Sequence, residues 1–225
     1  KGKDGFKNKV ALITGAGSGI GQATALELAR RGAQLWLTDI NATGLEQTAE
    51  QVKALGAQCQ TFVGNVSSST DMKKLAKAVH AQHPALDILI NNAGIGVAGR
   101  FVDTTLKTWN KVLDVNVKGV MLGCHVFAPN MISQGGGHIV NVASAAAFIA
   151  AKDMPAYAMS KYAVLGFSEA LRADLYDHGI GVSAVCPGVI NTAIVANTLF
   201  EGSVGNNDTV KNKVVEFYKK RNYTA

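Results

Sequence analysis

Apolar positions along the chain fall into two alternating textures. Short runs rich in Val, Ile and Leu read as strands: VALIT (10–14), QLWLTD (34–39), CQTFVG (59–64), LDILIN (86–91), HIVNVAS (138–144) and GVSAVCP (181–187). Between them, apolar residues recur at helical spacing over roughly 19–31, 42–55, 69–82, 104–133 and 155–178. Strands buried on both faces carry near-continuous apolar runs, and they alternate with helices in βαβ units. The pattern therefore predicts an α/β fold: a doubly wound, Rossmann-like parallel β-sheet with helices on both faces, three layers deep. Crossovers should be right-handed. No linker, repeat or low-complexity stretch divides the chain, which predicts one domain over 1–225.

Composition narrows the class without naming a reaction. The chain has 225 residues, 48% of them hydrophobic and 17% charged, enough for a sizeable core and unlike a disordered composition. No run approaches the length of a membrane span, and KGKDGFKNKV lacks the apolar centre of a signal peptide. A cytoplasmic protein is expected. The chain begins without Met and reads as trimmed or cut from something longer. Cys59, Cys124 and Cys186 match no zinc or CxxC spacing and suit a reducing compartment, and no metal is expected. The net charge of +6 comes from dispersed residues apart from the terminal VKNKVVEFYKKRNYTA, so no nucleic-acid partner is expected.

Ligands of open parallel sheets sit beyond the carboxyl ends of the strands. There, after the first strand, stands TGAGSGIG, Thr14 to Gly21. A strict GxGxxG does not fit: counted from Gly15 the sixth position is Ile20, and from Gly17 it is Gln22. Gly15, Gly17, Gly19 and Gly21 still let the backbone turn tightly, with Ser18 and Ile20 between them, and approach a pyrophosphate at a helix N-terminus. Asp39 ends the second strand 18 residues after Gly21, near the spacing at which a carboxylate accepts from an adenosine ribose. Its charge would repel the ~1.5–2 negative charges of a 2′-phosphate, and neither Ser18 nor Ile40 offers a cation, so NAD is expected over NADP.

YAMSK, 157–161, puts Tyr157 and Lys161 four residues apart, one turn along one helix face. A free tyrosine has a pKa of about 10, too high for a base at neutral pH. A unit charge 4 Å away contributes about 4 kcal/mol at an effective dielectric of 20, or roughly three pKa units at most. A lysine so placed could bring the phenol into its working range.

The glycine loop, NNAG at 91–94, Asn116, Ser144 and YAMSK, in this order and on these elements, resemble the short-chain dehydrogenase/reductase family from Val10 to about Thr192. The resemblance implies that Tyr157 is the general acid/base and that Lys161 lowers its pKa and holds the nicotinamide ribose. It implies that Ser144 bonds the substrate oxygen and that Asn116 organises a proton relay to Lys161. Asn91, Asn92, Ala93 and Gly94 would flank the cofactor beyond the fourth strand. Asn65 and Val66 would lie near the adenine, where many members have Asp-Val. Pro187, Gly188, Val189, Ile190 and Thr192 would form the nicotinamide side.

The implied activity is hydride transfer between NAD(P) and a hydrophobic secondary alcohol or ketone. A substrate side formed by 145–151, Met154 and 189–193 is apolar and small-residued, and 194–210 reads as a mobile lid. Two alternatives stand: a 3-oxoacyl-(acyl-carrier-protein) reductase using NADPH, which Asp39 disfavours, and a non-catalytic dinucleotide-binding module. Family members usually continue through a final helix and a seventh strand. Only 38 residues follow Pro187, with no convincing strand among them, so the C-terminal strand is expected to be absent and 194–225 to be a lid and a shortened end. A homodimer or homotetramer is implied.

Overall fold

The computed structural model describes residues 5–149, 151–188, 190, 198–206, 209, 212 and 216. Six strands form one parallel sheet in the order β3-β2-β1-β4-β6-β7. They are β1 (Val10–Thr14), β2 (Gln34–Asp39), β3 (Cys59–Val63), β4 (Ile88–Asn91), β6 (Gly137–Val142) and β7 (Ile180–Val185). The order reverses between β1 and β4, which places a crevice beyond their carboxyl ends.

Period-two geometry divides each central strand between two cores. Val10 and Leu12 of β1 and Trp36 of β2 join residues of three helices, α3 (Ser69–His80), α5 (Gly119–Gln134) and α6 (Pro155–Asp174). Ala11, Ile13, Leu35 and Leu37 face the other way, onto α1 (Gly19–Arg30) and α2 (Ala42–Ala54). All five residues of β1 are buried, as its unbroken apolar run requires. Along β6 and β7 the cover is thinner on one side: Ile139, Ile180 and Val182 are buried while His138 and Val185 are exposed.

The helical pattern over 104–133 resolves into three pieces: α4 (Leu106–Leu113), a π-helical segment (Asp114–Lys118) and α5. A π segment widens the turn and re-aims the side chains within it; Asn116 there is fully buried. α5 ends at Gly135, whose φ of 81° is the left-handed closing conformation that glycine adopts without strain.

The C-terminal part departs from expectation. Leu199 and Phe200 form a two-residue strand, β8, paired in parallel with Val97 and Ala98 of β5. The helical turn Gly202–Gly205 follows. Ser203 donates to the Asp103 carboxylate through its hydroxyl (2.7 Å), and Glu201 accepts from Thr105 N (3.2 Å) and from the Thr108 hydroxyl. These bonds lower the pKa of both carboxyls, through the Ser203 hydroxyl at Asp103 and the Thr108 hydroxyl at Glu201 first. Of the segment read as a mobile lid, 198–206 is thus tied to the 97–108 region. The short β5–β8 pairing lies outside the main sheet, which has six strands among the described residues; of 194–225, positions 194–197, 207, 208, 210, 211, 213–215 and 217–225 lie outside the described residues.

Candidate active site

The crevice begins with the glycine loop. Gly15 (φ 65°) lies against Ala93, whose Cα would be 2.8 Å from an added Cβ. At Gly21 an added Cβ would fall 2.2 Å from the Gly15 carbonyl oxygen. Glycine at these two positions is required by loop-on-loop packing. The Thr14 hydroxyl accepts from the backbone N–H of both Asn92 and Ala93 (3.0 Å each), and Asn92 Nδ2 donates to the Thr14 and Gly15 carbonyls. Asn92 thereby holds the glycine loop to the end of β4.

Helix α1 opens on this loop with bare N–H groups. The Ncap side chains of α2, α3 and α4, which are Asn41, Ser68 and Thr105, each accept a backbone N–H. Ser18, the Ncap of α1, makes no such bond, and the first turn carries no acidic residue. The first N–H groups of a helix have no intrahelical acceptor, and the helix dipole favours an anion there. This donor set fits a dinucleotide pyrophosphate.

Asp39 stands at the end of β2. Its Oδ2 accepts from Gly17 N (2.8 Å) and its Oδ1 from Asn41 N (2.8 Å). Each oxygen keeps a further lone pair. Asn65 Oδ1 accepts from the N–H and hydroxyl of Ser67, while Asn65 N donates to Asp71. Val66 is buried against Gly119.

At the other side of the crevice, Asn116, Tyr157, Lys161 and Gly94 come together. Lys161 is 3% exposed, and its Nζ donates to the Val142 carbonyl at 2.9 Å, 5.8 Å from the centroid of the Tyr157 ring. A Cβ on Gly94 would lie 3.3 Å from Asn116 Oδ1 and 3.5 Å from Lys161 Nζ, so the backbone here passes close to both side chains. Burial pushes Lys161 down to about 8, against an opposing effect of Cys186. The amine is therefore mostly charged at neutral pH although it is withdrawn from water.

Asn116 holds the backbone beside it, accepting from Ile95 N (2.8 Å) and donating to Ile95 O (3.0 Å) and Ser160 Oγ (3.0 Å). Ser160 in turn donates to the Tyr157 carbonyl at 2.7 Å. Ser144 lies two residues past β6 in extended conformation, and its hydroxyl accepts from Ala146 N. Ala145 N donates to Pro187 O (2.9 Å), tying the serine loop to the segment after β7. Of that segment, Pro187 and Ile190 line a cavity of about 420 Å³ with Ile20 of the glycine loop. Gly188 has open space about it, and Val189 and Thr192 lie outside the described residues.

Sequence reasoning missed Thr14, Asn141, Ser160 and Ser168, and it read Asn91 as flanking the cofactor, whereas its Nδ2 is bonded inside the sheet to Asn141 and Cys124. A polar residue inside an apolar strand run, as in HIVNVAS, was the available signal for Asn141.

A sheet reversing beside a glycine loop, an uncapped helix N-terminus and a Tyr–Lys–Asn cluster together form a crevice suited to a dinucleotide. Residues 9–201 match the family described as short chain dehydrogenase, and the chain belongs to that family. It is 44% identical over 196 residues to the probable oxidoreductase EphD of Mycobacterium tuberculosis, covering 87% of this chain and 33% of that protein. The chain therefore spans about a third of that relative's length. It is 37% identical to the cyclohexanol dehydrogenase of an Acinetobacter species over 85% of this chain and 76% of that one. A short-chain dehydrogenase/reductase of Burkholderia phymatum, solved in complex with NAD, superposes with a TM-score of 0.85 at 33% identity, covering 96% of this chain and 79% of that chain. Among the described residues no helix is long and apolar enough to cross a membrane.

Proposed function

We propose that this chain oxidises a hydrophobic secondary alcohol, or reduces the matching ketone, with NAD as coenzyme and Tyr157 as general acid/base. The observation that carries the reading is the buried, charged Lys161 beside the Tyr157 ring. A buried ammonium held by a backbone carbonyl is costly and marks a group with a task. The nicotinamide, when bound, supplies the hydride chemistry.

Oxidation takes a hydride from the carbinol carbon and a proton from its oxygen. Tyr157 holds that proton in one direction and returns it in the other. Ser144 donates to the same oxygen and fixes its place. Lys161 favours the phenolate by its charge, and Asn116 holds the β5 approach and α6 in register around it. Pro187, Gly188, Val189, Ile190 and Thr192 would bound the nicotinamide side.

Asp39 supports NAD over NADP: two N–H donors fix its carboxylate beside Gly17, a standing negative charge where a 2′-phosphate would approach. Exposed Phe148 and Ile149, after Ser144, suit an apolar substrate. We read residues 1–225 as one dehydrogenase domain whose 194–225 segment borders the substrate side, working in the cytoplasm as a homodimer or homotetramer. Three free cysteines suit that compartment.

The test follows NADH formation and consumption against a panel of alicyclic, aromatic and steroid alcohols and ketones, cyclohexanol included, for the parent chain and Tyr157→Phe. The variant is expected to bind NADH as the parent does and to lose at least ~10²-fold in turnover. Unchanged turnover would remove Tyr157 from the mechanism. A preference for NADPH with an acyl thioester substrate would favour the acyl-carrier-protein reductase, and NADH binding without turnover of any carbonyl would favour the non-catalytic module.

A further inference from the structure

A buried polar chain runs from the sheet to α6 away from the reacting groups. Asn91 and Asn141 are partners in the β4–β6 register, and both are buried. Asn91 Nδ2 donates to Asn141 Oδ1 at 2.9 Å and to Cys124 Sγ at 3.3 Å. Asn141 Nδ2 donates to Ser168 Oγ at 2.9 Å, and the Ser168 hydroxyl donates to Val164 O at 2.7 Å. Both sides of the Asn141 amide are thus engaged. Cys124, pushed up to about 12 mainly by burial, stays a protonated neighbour.

A purely apolar core would stabilise this interface as well, because burying amides and hydroxyls returns little net free energy even when all are bonded. What hydrogen bonds add over packing is direction. Helix α6 is fastened by side-chain amides at two points: Asn116 on Ser160 and Asn141 on Ser168. These serines are eight residues apart, ~12 Å along the axis, or just over two turns. One fastening would let a helix slide or pivot over a smooth apolar surface, but two set both its translation and its rotation. Lys161 lies next to the first fastening, and the carbonyl it bonds belongs to Val142, the residue after Asn141. The helix carrying the ammonium and the strand end receiving it are therefore referenced to one side chain.

We infer that Asn141 and Ser168 are positioning residues: their hydrogen bond sets the register of α6 over β6 and so holds Tyr157 and Lys161 at the reacting oxygen. The inference rests on the Tyr157 reading above. A misplacement of about 1 Å at a reacting group costs up to ~10²-fold in rate, so small slips of the helix would be visible in turnover.

The experiment compares Ser168→Ala, Ser168→Thr and the double variant Asn141→Leu/Ser168→Ala with the parent and with Tyr157→Phe. Cyclohexanol and NAD serve as probes, alongside NADH titration, melting temperature and hydrogen exchange at the amides of 157–161. Ser168→Ala should lower kcat about tenfold, move the rising limb of the oxidation pH profile to higher pH, and raise exchange at 157–161, with NADH affinity within about twofold of the parent. Ser168→Thr, which keeps the hydroxyl, should restore most of the rate. The double variant, which removes both partners of this bond but leaves Asn91 Nδ2 with Cys124 Sγ in place of its Asn141 acceptor, should recover part of the melting temperature and none of the kcat.

Variants that change melting temperature alone, with kcat, pH profile and exchange at 157–161 unmoved, overturn the positioning role. So does a Ser168→Thr variant that stays as slow as Ser168→Ala. Full activity in Tyr157→Phe sinks the underlying reading instead, and the exchange measurement still decides whether Ser168 holds that part of α6.

Discussion

Replacing Lys161 by Met separates what this side chain does for catalysis from what it does for the fold. Met keeps the length and apolar stem and removes the charge. At the 5.8 Å between Nζ and the Tyr157 ring centroid, a unit charge is worth about 3 kcal/mol at an effective dielectric near 20. That equals about 2 pKa units on the phenol. The rising limb of the oxidation pH profile should move alkaline by about that amount, with kcat at pH 7 falling roughly 10²-fold.

Stability should go the other way. Burial lowers the Lys161 amine from 10.5 to about 8, so holding it charged at neutral pH costs about 3 kcal/mol. Loss of the bond to the Val142 carbonyl returns about 1–3 kcal/mol of that as an unsatisfied acceptor. Lys161→Met should therefore melt at the parent temperature or somewhat above it at pH 7. The linkage has a definite sign. Between about pH 8 and 10.5 the unfolded chain binds a proton that the folded one has released, so this group makes the parent gain stability with rising pH, and the variant lacks that gain. Calorimetry from pH 6 to 10 and steady-state rates over the same range check both. An unmoved pH limb would refute the electrostatic account, and a variant melting several degrees lower would refute the cost assigned to the buried ammonium.

Gly21→Ala forces a Cβ to within 2.2 Å of the Gly15 carbonyl; displacing that loop should cost ~1–3 kcal/mol of stability and weaken NADH binding at least tenfold by titration calorimetry. Asp39→Gly removes the charge and frees Gly17 N, so the ratio of kcat/KM for NADPH over NADH should rise at least tenfold; an unchanged ratio would count against Asp39 as the selector. The pair Asp103→Asn and Glu201→Gln should increase chymotrypsin cleavage after Phe200 at pH 7, because both carboxylates tie down 199–205. Their pKa values are lowered in the fold, so the tie contributes above the ordinary carboxylate range and is lost as pH falls through the lowered values; hydrogen exchange at 199–205 should show it.

The parallel sheet was legible because its central strands are near-continuous apolar runs; β1 is buried along its whole length as VALIT suggests, while the edge strand β3, CQTFV, has no fully buried residue. What escaped was too short or too irregular for periodicity. The ladder Val97↔Leu199 and Ala98↔Phe200 is two residues long, below any repeat that alternation could reveal. Within 104–133, the π-helical Asp114–Lys118 is invisible to a 3.6-residue template, because the apolar pattern resumes on its far side. At the site, the motif residues Asn116, Tyr157 and Lys161 do meet, whereas Asn92 was read as flanking a cofactor and its side chain is spent on Thr14 and Gly15. Thr14, Asn141 and Ser168 were missed since their meaning lies in partners 27 to 79 residues away.

The π segment also fixes where this helix can tolerate a change of length. Each residue advances an α-helix by about 100°, so one extra residue carried as a wide turn offsets everything after it by that phase. Deleting one residue within Asp114–Lys118 would let α4 run into α5 as regular helix. It would also swing either Asn116 or the Phe127–Met131 core face away from its partners. Insertions and deletions should therefore be counted at this segment as whole changes of phase, and a natural or designed variant that shortens it would need a compensating residue within the same turn.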